Sequence, residues 1–283
     1  MGIYAVIGLG SMGQRHATTL RNLNHSVIEI DPIKFPDALS ITDIADRHDI
    51  DGCVIASPAD EHYPQAMYLL QHGYPCFVEK PLALTHKHAL EICRVAAANN
   101  LPVACGYQLR LTDGIQSFLG ALQRIPLDDI YYIVVRYGWD ITQWHTTPPY
   151  MPRIGIIREA SHDIDLMLWI AEQTSIGTLA HCVINRHYHR HYGAEPCLVD
   201  IQAEFSSGVP ASVRLDYVRP EYERIIEVAT RSALLSWVFD PAENETAYQR
   251  EIAQFCRAVE NCDPLGVAVT GWESARVSEF FDL

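Results

Sequence analysis

A short apolar run ends on a glycine-rich loop within the first thirteen residues, and this arrangement constrains the fold more than any other feature of the chain. Ile3 to Ile7 reads as a buried strand, Gly8-Leu9-Gly10-Ser11-Met12-Gly13 follows directly, and Ser11 to Leu23 reads as a helix. Strand, tight turn and helix in that order begin a crossover between parallel strands. Further apolar runs at Val27 to Ile30, Cys53 to Ala56, Cys76 to Val78 and Val103 to Cys105 are strand-like. Helical patterns built on Ala66, Met67 and Leu70, and on Ala89, Cys93 and Ala96, lie between the later ones. The alternation predicts an α/β fold over residues 1–107, a doubly wound parallel sheet covered on both faces.

The pattern changes after residue 107. Ile130 to Tyr137 is rich in β-branched and aromatic residues. Val199 to Phe205 alternates, as do Val213, Leu215 and Tyr217 against Ser212, Arg214 and Asp216. Such alternation predicts a large, open, mostly antiparallel sheet with one face buried and the other facing water or a second subunit. Two helices show apolar residues at i, i+3, i+4 and i+7, one through Ile164, Met167, Leu168 and Ala171, the other through Tyr248, Ile252, Phe255, Cys256 and Val259. The expectation is an α+β domain over 108–283.

Composition narrows the partners. The 283 residues carry 21 Lys and Arg against 35 Asp and Glu, a formal net charge of −14. A field of that sign repels phosphate backbones and anionic lipid, which argues against nucleic acid and membrane surfaces. No segment approaches the ~20 apolar residues of a membrane span. The amino terminus shows no basic region or cleavage site, so a cytoplasmic protein is expected. The eight cysteines form no Cys-x-x-Cys pair, and buried, reduced thiols are expected. His187, His189 and His191 alternate, but Arg186 and Arg190 oppose a cation and no carboxylate completes a site, so no metal is expected.

The glycine loop is the G-x-G-x-x-G pattern in the context it needs. Gly8 permits the turn, Gly10 lets a pyrophosphate approach the backbone, and Gly13 lets the helix pack closely. The helix start, with Ser11 and Met12 in its first turn, offers N–H groups to phosphates. Asp31 ends the second strand, 18 residues after Gly13. A carboxylate there accepts hydrogen bonds from a ribose and repels a 2′-phosphate. NAD is therefore expected, with NADP as the alternative because Lys34 stands close by.

Three segments occur in order: Val6 to Gly13, Ser57-Pro58-Ala59-Asp60-Glu61-His62, and Glu79-Lys80-Pro81-Leu82-Ala83. Together with Gly106 to Arg110 and Gly155 to Asp165 they resemble the Gfo/Idh/MocA oxidoreductases, and Leu215 to Arg219 resembles a strand of one sugar-modifying branch. The resemblance implies an NAD(P)-binding Rossmann domain and a second domain whose sheet forms a homodimer or homotetramer interface. It implies that Ser57, Pro58, His62, Glu79, Lys80 and Gln108 join the glycine loop and Asp31 around the cofactor. It also implies that Lys80 and His162 face the nicotinamide ring and a substrate of the sugar, sugar-nucleotide or cyclitol class, with Arg110, Trp144, Glu159 and Asp165 as further candidates for contact with it.

Moving a hydride between a carbinol carbon and nicotinamide requires a group that takes the hydroxyl proton and a cationic donor that polarises the oxygen. His162, just ahead of a helix where the dipole disfavours an imidazolium, suits the base. Lys80 suits the donor, and the reverse assignment stays open. Glu159, three positions before His162, either orients it, contacts substrate or pairs with Arg158 or Arg153. Trp144 sits in a Pro-rich loop that either stacks on the substrate or packs on the surface. The expected protein is an NAD(P)-dependent dehydrogenase acting on CH–OH groups. The rival readings are a cofactor-binding sensor without turnover, or a reductase of a non-carbohydrate substrate.

Overall fold

A computed structural model describes residues 1–35, 39–44, 47, 49–141, 154–190, 195–261, 266 and 268–283. The chain divides into two compact units, residues 1–111 with 244–282, and residues 112–243 with the terminal Leu283.

The first unit begins with β1 (Ile3–Ile7), α1 (Ser11–Asn22), β2 (Ser26–Ile30) and α2 (Ile41–Ile44). It continues through β3 (Gly52–Ile55), α3 (Ala59–Gln71), β4 (Cys76–Val78), α4 (His86–Ala98) and β5 (Val103–Cys105). The second unit holds α5 (Asp113–Leu122), β6 (Ile130–Gly138), α6 (Ile156–Glu159), α7 (Ser161–Gln173) and β7 (Leu179–His187). Strands β8 (Leu198–Phe205), β9 (Pro210–Asp216), β10 (Glu223–Thr230) and β11 (Leu234–Val238) complete it. The chain then returns to the first unit as α8 (Asn244–Asn261), β12 (Val269–Thr270) and α9 (Gly271–Asp282).

The first sheet runs β12-β5-β4-β3-β1-β2, with β1 to β5 all parallel. Its strands are short and almost wholly apolar because both faces are covered. Val54, Phe77 and Ala104 are fully buried, and Tyr4, Leu20 and Phe255 close the same core. Each large side chain so buried stabilises the unit by about 1.5–3 kcal/mol. Strand order reverses at β1, which has β2 on one side and β3 on the other, so a crevice opens beyond the carboxyl ends of β1 and β3.

The return of residues 244–282 corrects the domain boundary expected from sequence, which gave all of 108–283 to the second domain. α8 packs on α1, β12 adds antiparallel to β5, and α9 packs on α4. The apolar stripe of α8 therefore closes the first core, through Ile252, Phe255 and Cys256.

The second sheet runs β11-β10-β6-β9-β8-β7 and is antiparallel except where β6 meets β9. The alternation expected in β8 and β9 holds. Val199, Ile201, Ala203 and Phe205 are buried with Val213 and Leu215, whereas Gln202, Glu204 and Arg214 are exposed. α7 covers the buried face against β6 and β9, with Ile164, Leu166, Met167 and Ile170 fully buried. The opposite face keeps Tyr132 and Val183 more than two-fifths exposed.

Candidate active site

The glycine loop joins the carboxyl end of β1 to α1. Gly8 adopts φ +85°, and a Cβ there would lie 2.6 Å from the Ser57 backbone, just past β3. A Cβ on Gly13 would overlap the Gly8 carbonyl oxygen. A Cβ on Gly10 would meet nothing within 4 Å. Two of the glycines thus serve the turn and the packing, and the third leaves the backbone bare toward open space. Gly10 caps α1 without a side chain, which leaves the first N–H groups of the helix to a ligand. This cradle fits the pyrophosphate of a dinucleotide.

Asp31 follows β2 and braces that loop. Its Oδ2 accepts the Leu9 N–H at 2.9 Å, and its Oδ1 accepts the N–H groups of Ile33 and Lys34 at 3.0 Å each. Partial burial pushes the carboxyl up, but these backbone donors and the Lys34 charge outweigh it and hold the group below its ordinary range. A permanent anion therefore stands where a ribose would lie. The Lys34 ammonium is turned onto the Leu9 carbonyl oxygen.

The residues after β3 and β4 are locked to one another. Pro58 caps α3, and the Ser57 hydroxyl donates to Gln65 Oε1 at 2.8 Å. The His62 ring stands between the Ser57 and Pro81 carbonyl oxygens, at 2.9 and 2.8 Å. Burial pushes its pKa down, against those carbonyls. Glu79 meets His16 at 2.6 Å, and Lys80, half-buried, follows it at the same sheet edge as the glycine loop. The side chains of Glu79 and His62, expected beside the cofactor, are thus held by protein groups behind Lys80.

Two further expectations change. Gln108 lies in a 3₁₀ turn, is 4% exposed, and donates to Asn244 Oδ1 at 2.9 Å. Arg110, expected to face substrate, is 2% exposed and pairs with Glu273 at 2.6 Å. Its guanidinium ties the turn to α9 because a buried cation needs a carboxylate.

In the second unit α6 and α7 bring polar residues inward. Gly155 adopts φ +81° at the start of α6, and Glu159, half-buried, ends it. His162 is the second residue of α7 rather than just ahead of it, and is 9% exposed; Asp163 and Asp165 of the same helix are buried. Arg224 of β10 holds Asp163 through two contacts of 3.1 Å and sets its guanidinium 4.2 Å over the Tyr137 ring. Burial, only partly offset by Arg224, pushes the Tyr137 hydroxyl up to about 12. Trp144, His145 and Arg153 lie outside the described residues.

Sequence reasoning missed His16 and Arg224. His16 was detectable as a polar residue three positions after Gly13, on the inward side of α1. Arg224 shares parity with Ile226 and Val228, the buried positions of β10. His187 meets Asp200 at 3.3 Å, and His189 lies beyond the end of β7, while His191 is outside the described residues. Among the described residues no group of three or more His, Cys, Asp or Glu could hold a metal ion, and no helix is long and apolar enough to cross a membrane.

Comparison with known proteins agrees with this architecture. Residues 29–107 match the sequence model of the GFO_IDH_MocA oxidoreductase family, NAD-binding Rossmann fold. Over that stretch the chain is similar to the NAD-binding domain of the family, and NAD is the cofactor that the glycine loop and Asp31 fit. It is 24% identical over 234 residues to an uncharacterized oxidoreductase of Streptococcus pneumoniae, covering 72% of this chain and 59% of that protein. It is 23% identical over 308 aligned positions to inositol 2-dehydrogenase 1 of Mycolicibacterium vanbaalenii, covering 94% of this chain and 87% of that one. The fold matches GenD2 from gentamicin A biosynthesis, solved in complex with NAD, with a TM-score of 0.84 and 16% identity over 99% of this chain and 92% of that one.

Proposed function

We propose that the chain is an NAD-dependent dehydrogenase acting on a secondary alcohol of a sugar, sugar nucleotide or cyclitol. The observation that carries this reading is the shared sheet edge in the first unit. The open Gly10 cradle, the Asp31 anion and Lys80 all follow the carboxyl ends of parallel strands. Likeness to an inositol dehydrogenase supports the polyol class.

When bound, the cofactor supplies the hydride acceptor at nicotinamide C4. The chain must then manage the proton. In the alcohol-to-carbonyl direction the substrate carbon loses a hydride and its hydroxyl loses a proton, leaving a carbonyl. His162 takes that proton, and Lys80 donates a hydrogen bond to the oxygen as charge develops on it. Glu159 and Asp165, on the same α6–α7 segment, orient His162 and the substrate hydroxyls.

The exposed face of the second sheet, with Tyr132 and Val183 outward, suits a homodimer or homotetramer. Sedimentation would test it; a monomer at micromolar concentration would refute that part of the reading.

The functional reading is tested by NADH absorbance with a panel of cyclitols, sugars and sugar nucleotides. Turnover that Lys80→Ala and His162→Ala each reduce by about 10²–10⁴-fold, with NADH still bound, is the expected result. Silence of the wild type across the panel, with NADH binding intact, would overturn it.

A further inference from the structure

Behind Lys80 lies a buried acid–imidazole pair, in which His16 joins the Glu79 expected beside the cofactor. His16, fully buried on α1, meets Glu79 through Nε2 and Oε1 at 2.6 Å. The second carboxylate oxygen of Glu79 accepts the backbone N–H of Lys80 at 3.2 Å. Residue 106 passes so close that a Cβ there would lie 2.9 Å from the same Oε2, which explains the glycine after β5.

The groups around the carboxylate come from several elements. α1 contributes His16, α3 contributes His62, and Lys80 is the next residue in the chain. From α8, Tyr248 sets its ring edge-on to His16 with centroids 6.3 Å apart, and Arg15 stands 4.6 Å over that ring. Burial pushes the Glu79 carboxyl up; the His16 hydrogen bond and the charges of His16, Lys80 and His62 outweigh it and hold the acid ionised. An ionised carboxylate only accepts, so His16 donates from Nε2.

We propose that the buried His16–Glu79 pair is the positioning device of Lys80, pinning its backbone N–H and keeping a buried negative charge immediately behind the residue. The pair acts through Lys80 and not on the reacting atoms. The inference rests on the reading of Lys80 as the donor to the substrate oxygen.

The chain has three lysines, and of these Lys87 is exposed on α4 and serves as the internal reference. Competitive trace acetylation from about pH 7 to 10.5, read peptide by peptide by mass spectrometry, reports the free-amine fraction and access of each lysine. Glu79→Gln should raise Lys80 labelling several-fold relative to Lys87 at about pH 8, and the excess should fade toward the top of the range. Glu79→Asp, which keeps the charge, should return most of the wild-type ratio.

An unchanged ratio in Glu79→Gln overturns the proposal. So does a rise that persists at the highest pH or that Glu79→Asp shares, because that pattern reports opened access and not lost charge. Should Glu79→Gln fail to fold, Gly106→Ala displaces the carboxylate without removing a titratable group, and an unchanged ratio in that variant overturns it equally. Where turnover is found, the alkaline limb of kcat/KM in Glu79→Gln should move to lower pH with NADH affinity retained. Labelling needs no substrate, so a wild type silent on every substrate fails the functional reading while labelling still decides this one.

Discussion

Arg224 on β10 and Asp163 on α7 meet as a parallel pair, Nε to Oδ1 and Nη2 to Oδ2, each at 3.1 Å. Asp163 is fully buried in the first turn of α7, so the pair fixes the helix that carries His162 to the sheet. Breaking a buried pair from one side strands the other charge. Arg224→Met should therefore cost about 3–5 kcal/mol of stability, measured by urea unfolding. Arg224→Met with Asp163→Leu should regain much of that, because no lone charge remains. A single variant as stable as wild type would show that the pair does not hold the helix.

Gly10 and Gly13 separate cofactor binding from folding. Gly10→Ala meets open space, so its melting temperature should match wild type while NADH affinity falls at least tenfold, about 1.4 kcal/mol. Gly13→Ala drives a methyl into the Gly8 carbonyl and should cost about 1–3 kcal/mol of stability before any ligand is added. Calorimetry with and without NADH distinguishes the two. Equal loss of stability in both variants would refute the division of roles.

How much of this was legible beforehand follows from range along the chain. β1, the glycine loop and α1 are contiguous, and α7 and α8 carry their apolar stripes within single helices, so local periodicity found them. The return of the carboxyl-terminal segment was not legible, because β12 is only two residues, Val269–Thr270, and gains its identity from pairing with Ala104 and Cys105 far upstream. Arg110 looked like a substrate ligand for the same reason. Its partner Glu273 lies 163 residues away, and only the folded chain joins them. His16 and Glu79, 63 residues apart, belong to that class too.

Asp31 should decide between the two nicotinamide cofactors. Held ionised by three backbone donors, it repels a 2′-phosphate, so NADPH should bind at least tenfold more weakly than NADH, about 1.4 kcal/mol. Asp31→Ser should narrow that gap, and Lys34→Ala should widen it. Both affinities are read by nicotinamide fluorescence. Equal binding of NADH and NADPH by the wild type would remove the discriminating role from Asp31.

Acid should unfold the first unit through its internal carboxylates. Burial pushes Glu273 up, but the charge and hydrogen bond of Arg110 and the Thr270 donors hold it below its ordinary value of 4.5, and Glu79 is lowered against the same ordinary value. A group whose folded pKa is depressed contributes stability that is fully present above its unfolded value and is lost as pH falls through the folded one. Urea unfolding should therefore show a plateau above about pH 5 and a decline below about pH 4.5 as the unfolded chain begins to bind protons that the folded chain refuses. Glu273→Gln should lower the plateau, because Arg110 stays buried without a charged partner, and should make the decline below pH 4.5 shallower. Thermal melts across the same range provide the check at one protein concentration. A Glu273→Gln profile parallel to wild type through the acid limb would mean that this carboxylate does not take part in the acid transition.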